Sequence, residues 1–360
     1  VGGPGEGDDF HFAVRWEAKL HDIADSFLPS VAEHLQVAQC LKDLQVVLRA
    51  NLERPASWRV AAFGSSVNGC GTRGGDIDVV AYEDLAVGCK ASDARSILQK
   101  LKPLLNKGRL FSVRVAVMGA RVPILKLRYA GDRDVDLSVN NTFPLPNTRL
   151  LGAYADLDPR VRKLGILVKL WSKHWGVCGA ADGSLSSYAF QNMVIYFLQE
   201  SEKLPCLQKC GGGDATFEDD EDVRSLLESL LADGFALHRK LGDLFLDFFV
   251  FYTSASRFKW GTEVVSIRVG CRTDASAAEF KELKQRKQKQ LHIEDPFVLS
   301  RNLCDVLWGQ GEVMLWQALL AAKSALQKGR FHELLPSSGA PRQSSEVGRR
   351  WGRNSAPGGY

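Results

Sequence analysis

Apolar positions along this chain recur with two different periods, and the change between them divides it. From Phe10 to Leu52 the period is helical, with Val37, Leu41, Leu44 and Leu48 on one stripe and a break near Pro29. Between residues 59 and 139 the pattern alternates, predicting strands at 59–63, 76–81, 111–118, 121–129 and 134–139. Gly119 and the Gly131-Asp132 pair supply turns between the later strands, and Ser92 to Leu105 reads as a helix. One mixed or antiparallel sheet follows from this set. From Pro159 the helical period returns. PRVRKLGILVKLWSKHWG opens on proline and closes on Gly176, Ser184 or Ser186 can cap the next helix, and LGDLFLDFFVFYTSASRF and Glu312 to Leu326 follow. EVVSIRV reads as a further strand. The fold class is therefore α+β, a mixed-sheet domain followed by a mainly helical region.

The polar residues inside the alternating runs are the informative ones. In VAAFGSSVNGCGTRGGDIDVV, Asp76 and Asp78 stand two apart on a strand and face the same way. Adjacent carboxylates repel unless a positive charge sits between them, and hard divalent cations such as Mg²⁺ prefer oxygen ligands. Upstream, Gly64 lets the backbone approach a ligand, and Ser65 and Ser66 offer donors in a turn suited to an anion. Asp136 is a lone acid in the apolar run VDLSVNN. Taken singly, these are a hairpin with solvated aspartates and a strand-end aspartate. Together they form an anion cradle with three carboxylates, enough to anchor two ions for phosphoryl or nucleotidyl transfer. Lys169 and Lys173 are four apart on one helix face, the spacing of a solvated pair on an amphipathic helix.

At 360 residues and 45% hydrophobic content the chain can bury two cores. A net charge of +4 implies that any basic footprint is local. Phe280 to Gln290 is one such run, residues 201–222 form an acidic, glycine-containing loop, and residues 329–360 read as a disordered basic tail. VGGPGEGDD lacks the basic and apolar parts of a secretory signal, and no apolar run approaches the ~20 residues of a membrane span. The eight cysteines are scattered. Cys206 and Cys210 are the only close pair, with no neighbouring ligand to complete a zinc set, so reduced thiols in an intracellular protein are expected.

FGSSVNG…GDIDVV resembles the signature of the DNA polymerase β-like nucleotidyltransferases. VPILKLRY…VDLSVNNTFPLPNTRLL, LDPRVRKLGILVKLWSKHWG, GSLSSYAFQNMVIYFLQ, LGDLFLDFFVFYTSASRFKWGTEVVSIRVG and IEDPFVLSRNL line up, in order, with terminal uridylyltransferases and the small poly(A) polymerases related to them, the kinetoplastid uridylyltransferases being nearest. The resemblance implies a catalytic palm at 58–146 beside a helical central and associated domain at 147–328, completed by the N-terminal helices of 1–57, with the nucleotide in the cleft between them. It implies two Mg²⁺ ions (Mn²⁺ can substitute) held by Asp76, Asp78 and Asp136, with Asp136 on the side of the attacking hydroxyl. Gly64, Ser65, Lys169, Lys173 and Ser187 would hold the triphosphate, Asn147 and Thr148 would read the ribose hydroxyls, and Tyr188 would stack on the base. In the recognition loop 291–303, Glu294, Asp295 and Arg301 would meet the base edge. Arg121 and Lys126 would lie near a single-stranded RNA 3′ end. Arg301 stands where many uridylyltransferases carry histidine, a departure that bears on base choice. The implied activity is addition of UMP from UTP to RNA 3′ ends. The alternatives are a poly(A) polymerase using ATP and an inactive RNA-binding scaffold. No RNA-binding module is visible, so protein partners would supply RNA choice, and no membrane is involved.

Overall fold

The computed structural model describes residues 7–85, 90–179, 183–212, 217–285 and 290–336. Arg286, Lys287 and Lys289 of the basic run, and the tail from residue 337, lie outside them. The chain divides into two compact units, Leu28–Ala153 with Phe217–Val223, and the remainder.

The first unit is built on a five-stranded sheet. Its strands are β1 (Trp58–Phe63), β2 (Ile77–Glu83), β3 (Phe111–Val117), β4 (Ile124–Tyr129) and β5 (Arg133–Val139), in the order β1-β2-β5-β4-β3. Only the β2–β5 pair is parallel. The sheet is mixed because the chain leaves β2, makes a helix and the β3–β4 hairpin, and returns alongside β2. One face is covered by α2 (Val31–Asn51) and α3 (Ala94–Lys107). Cys40, Leu44 and Leu48 of α2 and Leu98 and Leu101 of α3 pack with Ile77, Val79, Leu125, Val135 and Leu137. Because Ile77, Val79, Val135 and Leu137 point into this core, Asp78 and Asp136 project from the opposite face.

Two expectations change here. The N-terminal helices do not act together: α2 belongs to the sheet unit, because its apolar stripe fills the sheet's core. The fourth strand starts at Ile124, not Arg121, since Pro123 has no N–H to give a ladder. Asp76 likewise lies one residue before β2.

The second unit is helical. It holds α1 (Gly7–Ser26), α5 (Pro159–His174), α6 (Ser187–Glu202), α8 (Leu241–Thr253) and α9 (Gly311–Gln327). The connecting helices α4 (Pro144–Leu157) and α7 (Asp220–Ala232) each run from one unit into the other. Asp158 caps α5 by accepting from Arg160 N at 2.8 Å, with Pro159 in the first turn. The phenylalanines of α8 are core as their density implied. Phe245, Phe248 and Phe249 are fully buried, and Trp171 meets Phe249 edge-on at 4.8 Å. Glu17 of α1 accepts from Leu241 N and Gly242 N, placing its charge at the N-terminus of α8. Residues 329–336 are ordered, contrary to the tail expected from 329. Phe331 and Leu334 are buried, and Phe331 lies 4.8 Å from the Trp16 ring.

The expected strand EVVSIRV shrinks to β6 (Val264–Val265), paired in parallel with β7 (His292–Ile293). The loop after β7 is pinned by Asn302, which is 2% exposed. Its Oδ1 accepts from Ile293 N and Cys304 N, each at 3.1 Å, and its Nδ2 donates to His292 Nδ1 at 2.9 Å. With Oδ1 taken by two donors, the amide can only donate to His292, so that ring nitrogen must be unprotonated.

Burial holds His292 below the ordinary histidine range against weaker pulls from Glu312 and Asp305, and burial acts the same way on His174. A depressed histidine pKa stabilises the fold above the unfolded value of about 6.5, and that contribution is lost as pH falls towards the folded value. The thermal midpoint should therefore drop between pH 7.5 and pH 5.5, where the paired carboxylates remain ionised. His292→Gln, which keeps an acceptor but cannot charge, should reduce the drop. A midpoint independent of pH over this range would contradict the assignment.

Candidate active site

β1 ends at Phe63 and the chain turns sharply through Gly64–Ser66, a single 3-10 turn. Gly64 has φ +70°, and a Cβ there would lie 2.6 Å from Asp78 Oδ2. Only glycine satisfies both the left-handed backbone and the approach of the carboxylate. Gly64 N donates to Thr148 Oγ1 at 2.9 Å, and Thr148 donates in turn to Pro144 O at 2.7 Å. Ser66 Oγ is drawn back to Phe63 O, and Ser65 is half-buried beside it.

The carboxylates meet across the parallel pair of strands. Asp78 and Asp136 are direct partners in the β2–β5 register, and Lys126 is the partner of Asp136 across β4–β5. Lys126 Nζ donates to Asp136 Oδ2 at 2.9 Å. That bond holds the Lys126 ammonium above the usual lysine range against partial burial, and the charges of Asp136, Asp76 and Asp78 add to it. All three expected carboxylates thus act on one ammonium. Among the described residues no three acidic, His or Cys side chains stand in a closed ligand set. Lys126 stands paired with Asp136, with its side chain 47% exposed. Arg121 is exposed in the segment before β4.

The ribose pair divides. Asn147 Oδ1 is buried with no hydrogen-bond partner among the described residues, an acceptor awaiting a donor. The Thr148 proton is already committed to Pro144, so this hydroxyl holds the glycine turn and offers a ribose only a lone pair.

In the helical unit, Lys169 and Lys173 lie on α5, the first 3% exposed and the second exposed. Ser186 caps α6 through Ala189 N, which puts Ser187 and Tyr188 in its first turn. The Tyr188 hydroxyl is buried beside the Asn192 side chain, whose hydrogen bond opposes the effect of burial on it. Burial pushes its pKa well up, with the Asp295 charge adding and the Arg301 charge opposing. Tyr188, Asp295 and Arg301 are thus brought together. Arg301 Nη1 donates to Asp295 Oδ2 at 3.2 Å, with the arginine side chain 52% exposed and the aspartate fully buried. Asp295 Oδ1 accepts from Phe297 N and Val298 N. Glu294 is 1% exposed and accepts from Ser266 Oγ at 2.6 Å and from Arg268 Nη2 at 2.7 Å and Nε at 3.2 Å. A base edge would have to displace Arg268 to reach it. Glu294 thus ties the loop to Arg268 and Ser266. Asn302, which closes this loop, was not legible from sequence, because its importance lies in the fold-back joining residues 293 and 304.

Residues 17–156 match the family model described as the central palm domain of mitochondrial-like poly(A) RNA polymerase, and residues 240–301 match that of the Cid1 family poly A polymerase. The chain is 31% identical over 294 residues to Terminal uridylyltransferase 4 of Homo sapiens, covering 78% of this chain but only 17% of that protein. It is 30% identical over 354 residues to Poly(A) RNA polymerase GLD2-B of Xenopus laevis, covering 91% of this chain and 67% of that one. Among solved structures, the Cid1 poly(U) polymerase with Mg and 3′-dATP bound is similar with a TM-score of 0.70 at 25% identity, across 87% of this chain and 94% of that one. Cid1 in complex with the UTP analog UMPNPP gives 0.69 at 25% identity, across 87% and 93%. On these matches, the chain belongs to the Cid1 and GLD2 family of RNA terminal nucleotidyltransferases.

Proposed function

We propose that this protein adds UMP from UTP to the 3′ hydroxyl of single-stranded RNA. The observation that carries the reading is the Asp78–Asp136 register pair, with Gly64 close against one carboxylate and a cation against the other. Asp76, Asp78 and Asp136 would hold two Mg²⁺ ions, as the Mg-bound nucleotide of the Cid1 relative suggests. When bound, such ions neutralise the transferring phosphate and lower the pKa of the attacking hydroxyl. The chain's own groups then divide the work. Gly64 N is held by Thr148, which fixes the turn, and Ser65 faces the phosphates. Lys169, Lys173 and Ser187 supply further phosphate contacts. Asn147 Oδ1 accepts from a ribose hydroxyl, as its unpaired state supports. The RNA 3′ hydroxyl lies at Asp136, which takes its proton as the new O3′–P bond forms and pyrophosphate leaves.

Base choice rests on Arg301 and Tyr188. Arginine only donates, and both oxygens of Asp295 already have partners. Arg301 can donate to a uracil carbonyl or to adenine N1, so polarity alone does not choose; the reading for UTP rests on size, since Tyr188 and a long arginine facing it leave less room for a purine. Tyr188 offers the base a stacking surface, worth about 1–3 kcal/mol where it has been measured in single-strand binders. The GLD2 relatives, which cover most of this chain, keep ATP as the competing substrate.

The decisive assay gives a single-stranded RNA each nucleoside triphosphate separately with Mg²⁺ and sizes the products. UTP should outperform ATP by about ten- to a hundredfold, the value of one unpaired buried polar group. Arg301→Ala should narrow that gap, chiefly by admitting ATP. Equal or better use of ATP by the unmodified protein would replace this reading with a poly(A) polymerase.

A second prediction separates the chemistry from the fold. Gly64→Ala should reduce transfer at least a hundredfold while the thermal midpoint moves by only a few degrees, because the added methyl strikes Asp78 Oδ2 in an otherwise intact sheet. Near-normal transfer by this variant would show that the turn does not need its close approach.

A further inference from the structure

The connection between the glycine turn and Asp76 contains four glycines in seven residues, Gly69 to Gly75. Its first half is fixed by buried Cys70, whose N donates to Asn68 Oδ1 at 3.0 Å, but from Thr72 to Gly75, next to Asp76, no side chain is buried. Yet Asp76 must stand in register with Asp78, so something outside the segment has to hold it.

Glu33, in the first turn of α2, reaches the segment. Its Oε2 accepts from Ser30 N at 2.9 Å and from Ser30 Oγ at 3.1 Å, completing the capping box of α2. Its Oε1 accepts from Gly74 N at 2.6 Å and from Arg133 Nη1 at 2.7 Å. Gly74 lies two residues before Asp76, and Arg133 opens β5 three residues before Asp136. One carboxylate therefore ties the segments that lead into two of the three site aspartates. The ion pair is shielded, with Glu33 and Arg133 side chains 15% and 10% exposed. Burial alone would raise the Glu33 pKa, but the Gly74 and Ser30 amides and the Arg133 guanidinium outweigh it and hold the group at about 2. On the far side of the segment, a Cβ on Gly71 would meet Ser65 O at 2.5 Å, so the connection is seated under the phosphate turn as well. Glu33, Arg133, Ser65 and Asp76 line one small cavity.

We propose that Glu33 is a positioning residue of the active site, which sets Asp76 and Asp136 for metal binding by clamping Gly74 and Arg133 to the start of α2. The proposal rests on the reading of the three aspartates as metal ligands. A capping-box glutamate ordinarily serves only its own helix; here half of the carboxylate is turned away from the helix, towards the site.

The test uses the full chain and two readouts, hydrogen exchange of the peptide spanning residues 69–78 and Mn²⁺ binding, followed by electron paramagnetic resonance with a non-hydrolysable UTP analogue. Glu33→Gln replaces one acceptor oxygen with an NH₂ that faces donors. Exchange should quicken at least tenfold and Mn²⁺ affinity fall at least tenfold. Ser30→Ala removes only the hydroxyl half of the cap and should lower the thermal midpoint while Mn²⁺ affinity stays within twofold. Arg133→Gln loosens the clamp from the β5 side and should weaken Mn²⁺ binding as Glu33→Gln does, so a folding failure of one variant leaves the other to decide. Unchanged exchange in Glu33→Gln overturns the clamp. Faster exchange with unchanged Mn²⁺ affinity overturns the positioning role and leaves Glu33 a helix cap. An unmodified chain that binds no Mn²⁺ overturns the reading of the aspartates, and with it the purpose of the clamp, while the exchange data still report whether the clamp exists.

Discussion

Two carboxylates on directly opposed residues of adjacent strands, about 5 Å apart, repel each other by about 3 kcal/mol in a partly exposed setting. Asp78 and Asp136 are in that position, and Asp76 adds a third negative charge two residues away. Much of the sheet unit can be understood as the means of sustaining this repulsion. The parallel β2–β5 pair fixes the spacing, α2 and α3 bury the opposite face, and the glycine turn removes every atom that would separate the backbone from Asp78. Lys126, presented from β4 in register with Asp136, supplies the compensating charge within the protein.

The sequence carried most of the sheet. Period-two alternation located five strands to within a few residues, and the missed start of the fourth follows from Pro123. That Asp78 and Asp136 share a sheet face was legible, because each alternates with apolar neighbours along its strand. What could not be read was partnership over long separations. Nothing in residues 31–51 says whether their apolar stripe covers the sheet or the helices, since both offer apolar surface, and α2 went to the sheet. Glu33 looked like an ordinary capping residue, because Gly74 is forty-one positions away. Residues 329–336 fall inside the fold because Phe331 packs on Trp16 and Leu334 is buried, which no local pattern signals.

The recognition loop shows a different limit. The resemblance offered Glu294, Asp295 and Arg301 as base readers, but a motif does not say which way a carboxylate faces. Glu294 is tied to Arg268 and Ser266, and Asp295 to Arg301 and two backbone amides. These acids build the loop, and the arginine is the group left partly open to solvent. The same division appears at Thr148, where a hydroxyl expected to meet the ribose secures the phosphate turn. In both places polar side chains that a motif groups together have partners of their own, so motif reading names the cluster but not the division of labour within it.

The central claim is that three aspartates and Lys126 form a cation site whose resident ammonium gives way to metal. The most direct measurement is anomalous scattering from crystals of the full chain grown with Mn²⁺ and a non-hydrolysable UTP analogue. The account predicts an anomalous peak bounded by Asp76, Asp78 and Asp136, with Lys126 Nζ displaced from its 2.9 Å contact with Asp136 Oδ2. A nucleotide bound with no peak at these aspartates, and Lys126 still on Asp136, would contradict it.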